Sequence, residues 1–382
     1  MIAKLSFRNF KSLVDVDVEL ERFTVLVGPN GSGKSSVLQA TDLLARFAVE
    51  QPGEGRHSSN RFGIILHGLT AAERLATHGG KGPLTVQMQS DDGERFTLSV
   101  EFEKQLASHQ PAQTEFNLIH VDRKSLTRRV SVPNFSHPAP QSLFDPAAVS
   151  EFGSAVYLHL DATLMAKTSF RDEEAPTMSA SGEGLASSLA VLAGSRPEVL
   201  DAIAQSLAKV VPGVRKIRTY RERAAILETQ QVTINGSPYP NQVLVTRIGD
   251  RFSIEFEGGS NVPADLLSEG TVLALGLVTK LHEPNRPRLI LLDDVDRGLH
   301  PTAQQKLVET LRALLAANPD LQIVATSHSP DLLSQFKPEE VRVLALDAER
   351  RTHCRKLTEH PEFEKVKFGF QTGEIWSYLG EN

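Results

Sequence analysis

Residues 28–36 read GPNGSGKSS. Glycines at 28 and 33, then a lysine and a serine, form the pattern of a loop whose backbone N–H groups wrap a phosphate chain. In that reading Asn30, Gly31, Ser32, Gly33 and Ser36 shape and line the cradle. Lys34 carries its charge to the outer phosphates, and the Ser35 hydroxyl reaches Mg²⁺. A second stretch, LILLDDVDRGLHP (289–301), sets four apolar residues before two carboxylates. A buried strand of that kind delivers Asp293 to its end beside the loop, where it holds Mg²⁺ through water. Asp294, one residue on, then stands where a carboxylate polarises an attacking water. A third stretch, ATSHS (325–329), ends a strand on His328, whose imidazole is placed to sense a γ-phosphate. Taken together, these residues point to ATP as ligand, with Mg²⁺, and to its hydrolysis. Each also has an ordinary structural reading: an apolar strand ending in aspartates, or a lone histidine at a strand end. Their order along one chain is what sets them apart.

The elements needed to position these groups are legible. Residues 2–10 alternate apolar and polar, as does VDVDVEL (14–20), whereas FTVLV (23–27) is continuously apolar. The last is a buried strand feeding directly into the loop, and Val37, Leu38, Leu43, Leu44 and Phe47 then recur at helical spacing. Between about 50 and 170 the text is looser, with strand-like LTVQM, FTLSVEFE and SAVYLHL separated by turn-rich insertions. A helical pattern covers 184–211, and VRKIRTYRER and AAILETQQVTI follow as strands. A helix opening at LLSEGT, the strand LILLDD, a helix over TAQQKLVETLRALLAA and the strand LQIVATSHS complete the order. The fold class is α/β, a mixed sheet with an N-terminal antiparallel lobe and a helical lobe. The expected division is 1–170 for the N-terminal lobe, 171–265 for the middle segment and 266–335 for the remaining motifs. A short extension, 336–382, would hold one strand, a loop and a terminal helix. No internal repeat or heptad arm is visible.

Composition narrows the function classes. The chain has 382 residues, 40% hydrophobic and 23% charged, which is the balance of a globular protein. A formal net charge of -6 gives no global attraction to nucleic acid, so any such contact needs a local basic patch. Two clusters qualify: Arg215, Lys216, Arg218, Arg221 and Arg223 in one, and Arg123, Lys124, Arg128 and Arg129 in the other. Interleaved glutamates also make them solvated strand faces. The single cysteine, Cys354, excludes an internal disulfide framework and a cysteine-cluster metal site. No signal peptide or apolar span is evident, so the expectation is a cytoplasmic protein with no membrane partner.

The order of motifs resembles the P-loop NTPases of ABC-ATPase-head type in the OLD, RecF and SMC group, over roughly residues 1–335. FRNFKSLVDVDVEL is similar to their N-terminal strand pair, LLSEGTVLALGLV (266–278) to their signature helix, DDVDRGLHP to their metal-and-water segment, and ATSHSPDLL to their histidine switch. The helical text at 181–214 is also like the segment these heads carry between lobes. The resemblance implies that Ser268, Glu269 and Gly270 touch the γ-phosphate bound to another subunit, hence a head-to-tail homodimer around two Mg²⁺-ATP. It also implies that Lys11 helps hold nucleotide. Locally, Ser268 and Glu269 are equally a serine cap with an acidic first turn.

Two departures matter. Asp294 stands where the family has a glutamate, one methylene longer, and misplacement near 1 Å costs about 100-fold in rate. The resemblance with that change implies hydrolysis that is slow or stimulated by a partner. The glutamine that joins the lobes in this class has no identifiable counterpart. The resemblance points to DNA repair or to defence against phage and mobile elements, where many relatives work beside a nuclease or toxin, so a protein effector is the expected partner and DNA a further candidate. A regulator of a protein effector that never touches DNA is the alternative. A transporter subunit lacks support, because no LSGGQ-like signature is present. After TSHSP too few residues remain for the Toprim nuclease domain expected of the OLD nucleases, and Asp347 alone is weak evidence for a metal site.

Overall fold

The computed structural model describes residues 1–49, 82–104, 114–123, 126–132, 154–170, 178–234, 237–283, 287–297 and 299–379. The chain divides into two compact units. One comprises Met1–Leu158, Pro287–Gln305 and Asn318–Asn382, the other His159–Arg286 and Lys306–Ala317.

The first unit opens with β1 (Ile2–Phe10) and β2 (Leu13–Glu19), antiparallel, with Leu5, Phe7, Val16 and Val18 turned into the core. β3 (Phe23–Val27) is buried at every position, as a strand covered on both faces must be. α1 (Lys34–Val49) follows the glycine loop. Strands β4 (Leu84–Ser90), β5 (Arg95–Lys104), β6 (Thr114–Arg123) and β7 (Leu126–Val132) extend the first sheet in the order β2-β1-β4-β5-β6-β7, antiparallel throughout. The expected antiparallel lobe is therefore present; most of the turn-rich insertions between 50 and 153 lie outside the described residues. β8 (Ala155–Leu158) closes this part of the chain.

The second unit carries α2 (Ala162–Met165), α3 (Leu185–Ser195) and α4 (Pro197–Ala208). The helical pattern expected over 184–211 is thus two helices, broken before Pro197, whose ring leaves no N–H for a continuing helix. The two strands expected over 214–234 are one, β9 (Val214–Ile234), paired along its length with β10 (Ser237–Phe256). A short β11 (Asn261–Pro263) borders the ribbon. Ile217, Phe252 and Ile254 anchor its base, while Leu227, Leu244 and Ile248 are 61–67% exposed farther out. α5 (Glu269–Leu281) is buried from Thr271 onward, which explains an apolar sequence with no polar stripe. Its Gly276 leaves room for Met165, whose Cε would lie 2.3 Å from an added Cβ.

The chain then returns to the first unit with β12 (Leu289–Leu292), and passes along α6 (Pro301–Ala317) to β13 (Gln322–Thr326) and α7 (Pro330–Leu333). The segment expected to be a one-strand extension supplies two strands of the second sheet, β14 (Val341–Leu346) and β15 (Thr352–Lys356), before α8 (Phe363–Val366) and α9 (Thr372–Leu379). The order is β15-β14-β3-β13-β12-β8, parallel except for the edge strand β15. A single apolar core joins this sheet, α1 and the antiparallel sheet through Phe7, Leu38, Leu44, Val86, Leu291, Val324 and Leu344. The parallel strands thereby bring the C-terminal ends of β3, β12 and β13 to one edge, where ligands of open α/β sheets bind. Among the described residues no helix is long and apolar enough to cross a membrane.

Candidate active site

Between β3 and α1 the glycine loop turns through Gly28, Gly31 and Gly33 at φ of 142°, 81° and 100°, conformations that a Cβ strongly disfavours. Space forbids a side chain as well. A Cβ on Gly28 would lie 2.0 Å from the Leu344 carbonyl oxygen, and one on Gly33 2.6 Å from Thr352 Oγ1. β14 and β15 therefore wall the loop. The Thr352 hydroxyl donates to the Ser32 carbonyl at 2.9 Å and lies 2.8 Å from the Ser12 hydroxyl. Buried Lys34 spans the loop, its Nζ donating to the carbonyls of Gly28 and Pro29, both at 2.9 Å. Asn30 and Gly31 are exposed and Ser36 is half-buried. The buried Ser32 Oγ has no partner among the described residues. Successive N–H groups, a bridging ammonium and a spare hydroxyl fit a polyphosphate.

Asp293 leaves the end of β12 and meets three hydroxyls. Its Oδ1 accepts from Ser35 Oγ at 3.0 Å and from Thr326 Oγ1 at 2.7 Å, and its Oδ2 accepts from the Tyr157 hydroxyl at 2.7 Å. Burial, followed by the bond to Asp293, pushes the Tyr157 phenol far above its ordinary range, so it is a permanent donor. Among the described residues no group of three or more His, Cys, Asp or Glu could hold a metal ion. The Ser35–Asp293 pair instead offers two hard oxygens, the donor set of an Mg²⁺ that completes its shell with phosphate and water. The residues fit that ion.

Asp294 is exposed and takes a left-handed φ of 49°. Its N–H donates to Thr326 Oγ1 at 2.7 Å, so one threonine hydroxyl sets both aspartates. His328 is exposed at the end of β13, and its backbone N–H donates to Asp296 Oδ2 at 3.2 Å. The next residue, Ser329, caps α7 and donates to Gln304 Oε1 at 2.6 Å, while Gln304 Nε2 reaches the Leu299 carbonyl at 3.0 Å. The histidine segment is thus tied to the loop after β12.

Lys11 sits in the β1–β2 turn at a φ of 51°. Its Nζ donates to Gln39 Oε1 on α1 at 2.6 Å, and burial lowers its pKa. Ser268, Glu269 and Gly270 lie in the second unit, apart from the other site residues in the division of the chain. Ser268 caps α5, accepting from the Thr271 N–H, with its Oγ 2.8 Å from Thr271 Oγ1. Ser268 and Glu269 are exposed, and nothing lies within 4 Å of a Cβ built on Gly270.

Of the basic clusters, that of β9 is partly neutralised in place: Arg218 pairs with Glu255, and Arg221 Nε lies 3.9 Å from Asp250. Arg215, Lys216 and Arg223 are exposed. The other cluster falls on β6 and β7, with Lys124 outside the described residues. Asp347 caps the β14–β15 turn by accepting from the Arg351 N–H and pairing with His353. Sequence reasoning missed Thr326, Tyr157, Gln39, Asp296 and Thr352 as contributors to the site. Only Gln39 carried a signal, since it lies one helical turn after Ser35 and on the same face.

The profile of the family described as "AAA domain, putative AbiEii toxin, Type IV TA system" matches residues 23–334. The chain is 34% identical to the Septu protein PtuA of Bacillus thuringiensis over 83 residues, 22% of this chain and 19% of that protein. It is 46% identical to an OLD nuclease of Thermus scotoductus over 44 residues, 12% of this chain and 8% of that one. With the DNA replication and repair protein RecF of Salmonella newport it shares 34% identity over 104 residues, 25% and 29% of the two chains. Less than a third of each of these relatives is therefore spanned. Among solved structures, the Smc head domain of Pyrococcus furiosus, bound to the C-terminal domain of ScpA, superposes over 96% of this chain and 99% of that one. The TM-score is 0.52 at 13% identity, which is a likeness of fold.

Proposed function

The chain belongs to the AAA-domain family whose profile spans residues 23–334, as an ATPase head of OLD, RecF and SMC type, and from this we propose that it is a slow, Mg²⁺-ATP-dependent dimerisation switch. The observation that carries the reading is the convergence of Ser35, Thr326 and Tyr157 on Asp293 beside the glycine loop. Mg²⁺, when bound, would supply charge neutralisation to the phosphates. Ser35 and Asp293 would hold it, the loop N–H groups and Ser32 would take phosphate oxygens, and Lys34 would exchange its loop carbonyls for the β- and γ-phosphates. Asp294 orients and polarises the attacking water from the end of β12. Its short side chain leaves that water less well placed than a glutamate would, so turnover is low until a partner closes the site. His328, held by Asp296 through its backbone, reads the γ-phosphate.

In this reading the cap of α5, with Ser268, Glu269 and Gly270, completes the site of a second copy. An exposed helix N-terminus with a serine hydroxyl suits the terminal phosphate of a nucleotide bound elsewhere. The biological role we infer is DNA repair or defence against phage and mobile elements, with a nuclease or toxin as effector. The names of the relatives support this. Pairing of Arg218 and Arg221 with acidic neighbours favours the second reading, an ATP-gated regulator of a protein effector that does not bind DNA. Equilibrium binding of ATP with and without Mg²⁺, followed by turnover, tests the nucleotide reading. Ser35→Ala should retain metal-free nucleotide binding and lose the Mg²⁺-dependent gain in affinity together with hydrolysis. A Ser35→Ala protein with wild-type Mg²⁺ dependence and turnover would remove Ser35 from the site.

A further inference from the structure

One side chain in this site comes from a strand that carries none of the motifs. β8 lies beside β12 in parallel register, Tyr157 opposite Leu291, and the Asp293 N–H donates to the Leu158 carbonyl at 2.9 Å. The end of β8 is thereby fastened to the end of β12, and Tyr157 reaches Asp293 from a rigid base. Its hydroxyl takes Oδ2, the oxygen that neither Ser35 nor Thr326 touches. Beside it, the Lys11 ammonium donates to the Gln39 side-chain oxygen at 2.6 Å, and Gln39 is one of the groups that act on the Tyr157 phenol, favouring its charged form against burial. Ser35 and Gln39, one turn apart on α1, place metal ligand and amide on the same helix face.

Resting on the Mg²⁺-ATP reading, we propose that Tyr157 is a positioning residue for the metal carboxylate. By holding Oδ2 it fixes the Asp293 rotamer so that Oδ1 faces Ser35 and the ion, and Lys11 supports it through Gln39. This gives β8 a part in the nucleotide site and gives Lys11 a target within the protein. Groups that orient a ligating carboxylate matter because removing them leaves the ligand free to turn away, at a typical cost of about 10- to 100-fold in metal affinity.

The test is Mn²⁺ binding to the ATP-loaded full chain, read by electron paramagnetic resonance, with ATP affinity measured separately in EDTA. Tyr157→Phe keeps the ring and its packing and removes only the hydroxyl. The expected result is Mn²⁺ affinity lower by about 10- to 100-fold with metal-free ATP affinity unchanged. Gln39→Leu, which leaves Tyr157 in place, should weaken Mn²⁺ in the same direction by a smaller factor. If the wild-type chain binds Mn²⁺-ATP and Tyr157→Phe binds it equally well, Tyr157 is only a packing residue and the proposal is overturned while the nucleotide site stands. If the wild-type chain binds no nucleotide, both fall. A loss of ATP binding in EDTA equal to the loss of Mn²⁺ binding would also overturn it, since that is the mark of a damaged loop.

Discussion

Asp294 combines a short side chain with a left-handed backbone, and the two belong together. Aspartate enters that region several-fold more readily than most side chains, since its carboxylate is close to the backbone. Thr326 holds the conformation by accepting the Asp294 N–H while donating to Asp293. On the proposed role of Asp294, glutamate would gain reach toward the attacking water and lose this backbone tolerance. For Asp294→Glu we expect turnover to rise by about tenfold or more, given the steep dependence of rate on placement. The same substitution should lower the unfolding free energy by on the order of 1 kcal/mol. Steady-state phosphate release and chemical denaturation measure the two, and an unchanged or lower turnover would contradict the assignment of Asp294 to the water. At this scale much of the candidate site was legible. Lys34, Ser35 and Asp293 declare their chemistry within a few neighbours, because glycine spacing and an apolar run ending in carboxylates are local patterns. Tyr157 and Thr352 were not legible. They arrive from 136 and 320 residues away, and no local signal marks a tyrosine in an apolar strand as aimed at a carboxylate.

At the scale of elements, the phosphate loop is shaped by strands that follow it by more than 300 residues. Thr352 on β15 holds the Ser32 carbonyl, and the Leu344 carbonyl on β14 limits position 28 to glycine. Thr352→Val keeps the volume and removes the hydroxyl. It should weaken ATP binding by a factor of about 3 to 10, the worth of one net hydrogen bond, with far-UV circular dichroism unchanged. Gly33→Ala is harsher, because it adds a Cβ at a φ of 100° and 2.6 Å from Thr352 Oγ1. It should abolish measurable ATP binding by calorimetry and destabilise by about 1–3 kcal/mol. Wild-type affinity in Gly33→Ala would show that the loop does not adopt this conformation when it binds. The strands β1, β3, β12 and β13 could be read from alternation and continuous apolar runs. That β14 stands beside β3 could not be, since VRVLAL, apolar but for Arg342, carries no record of its neighbour. The single long ribbon β9–β10 was also missed, because a mid-strand Arg-Glu-Arg run reads as a break when the partner strand is unknown.

The molecule as a whole is acidic, so any nucleic-acid contact depends on where its exposed cations lie. Arg215, Lys216 and Arg223 are exposed on β9, and a two-stranded ribbon is one of the shapes that the major groove of DNA admits. On the DNA reading, replacing these three with glutamate weakens duplex binding. It also makes the salt dependence of log K shallower by about 0.9 for each phosphate no longer neutralised. No binding by the unsubstituted chain at low salt, with or without ATP, would instead favour the regulator of a protein effector. The central claim is independent of that choice: Mg²⁺-ATP joins two copies, each contributing its α5 cap to the other's nucleotide. It is tested most directly by the mass in solution of Asp294→Asn, which should bind ATP and not consume it. With Mg²⁺-ATP the mass should double from the 41.8 kDa of one chain, and Ser268→Arg should abolish the doubling while leaving ATP binding intact. A chain that binds Mg²⁺-ATP and remains at the mass of one copy would contradict the account.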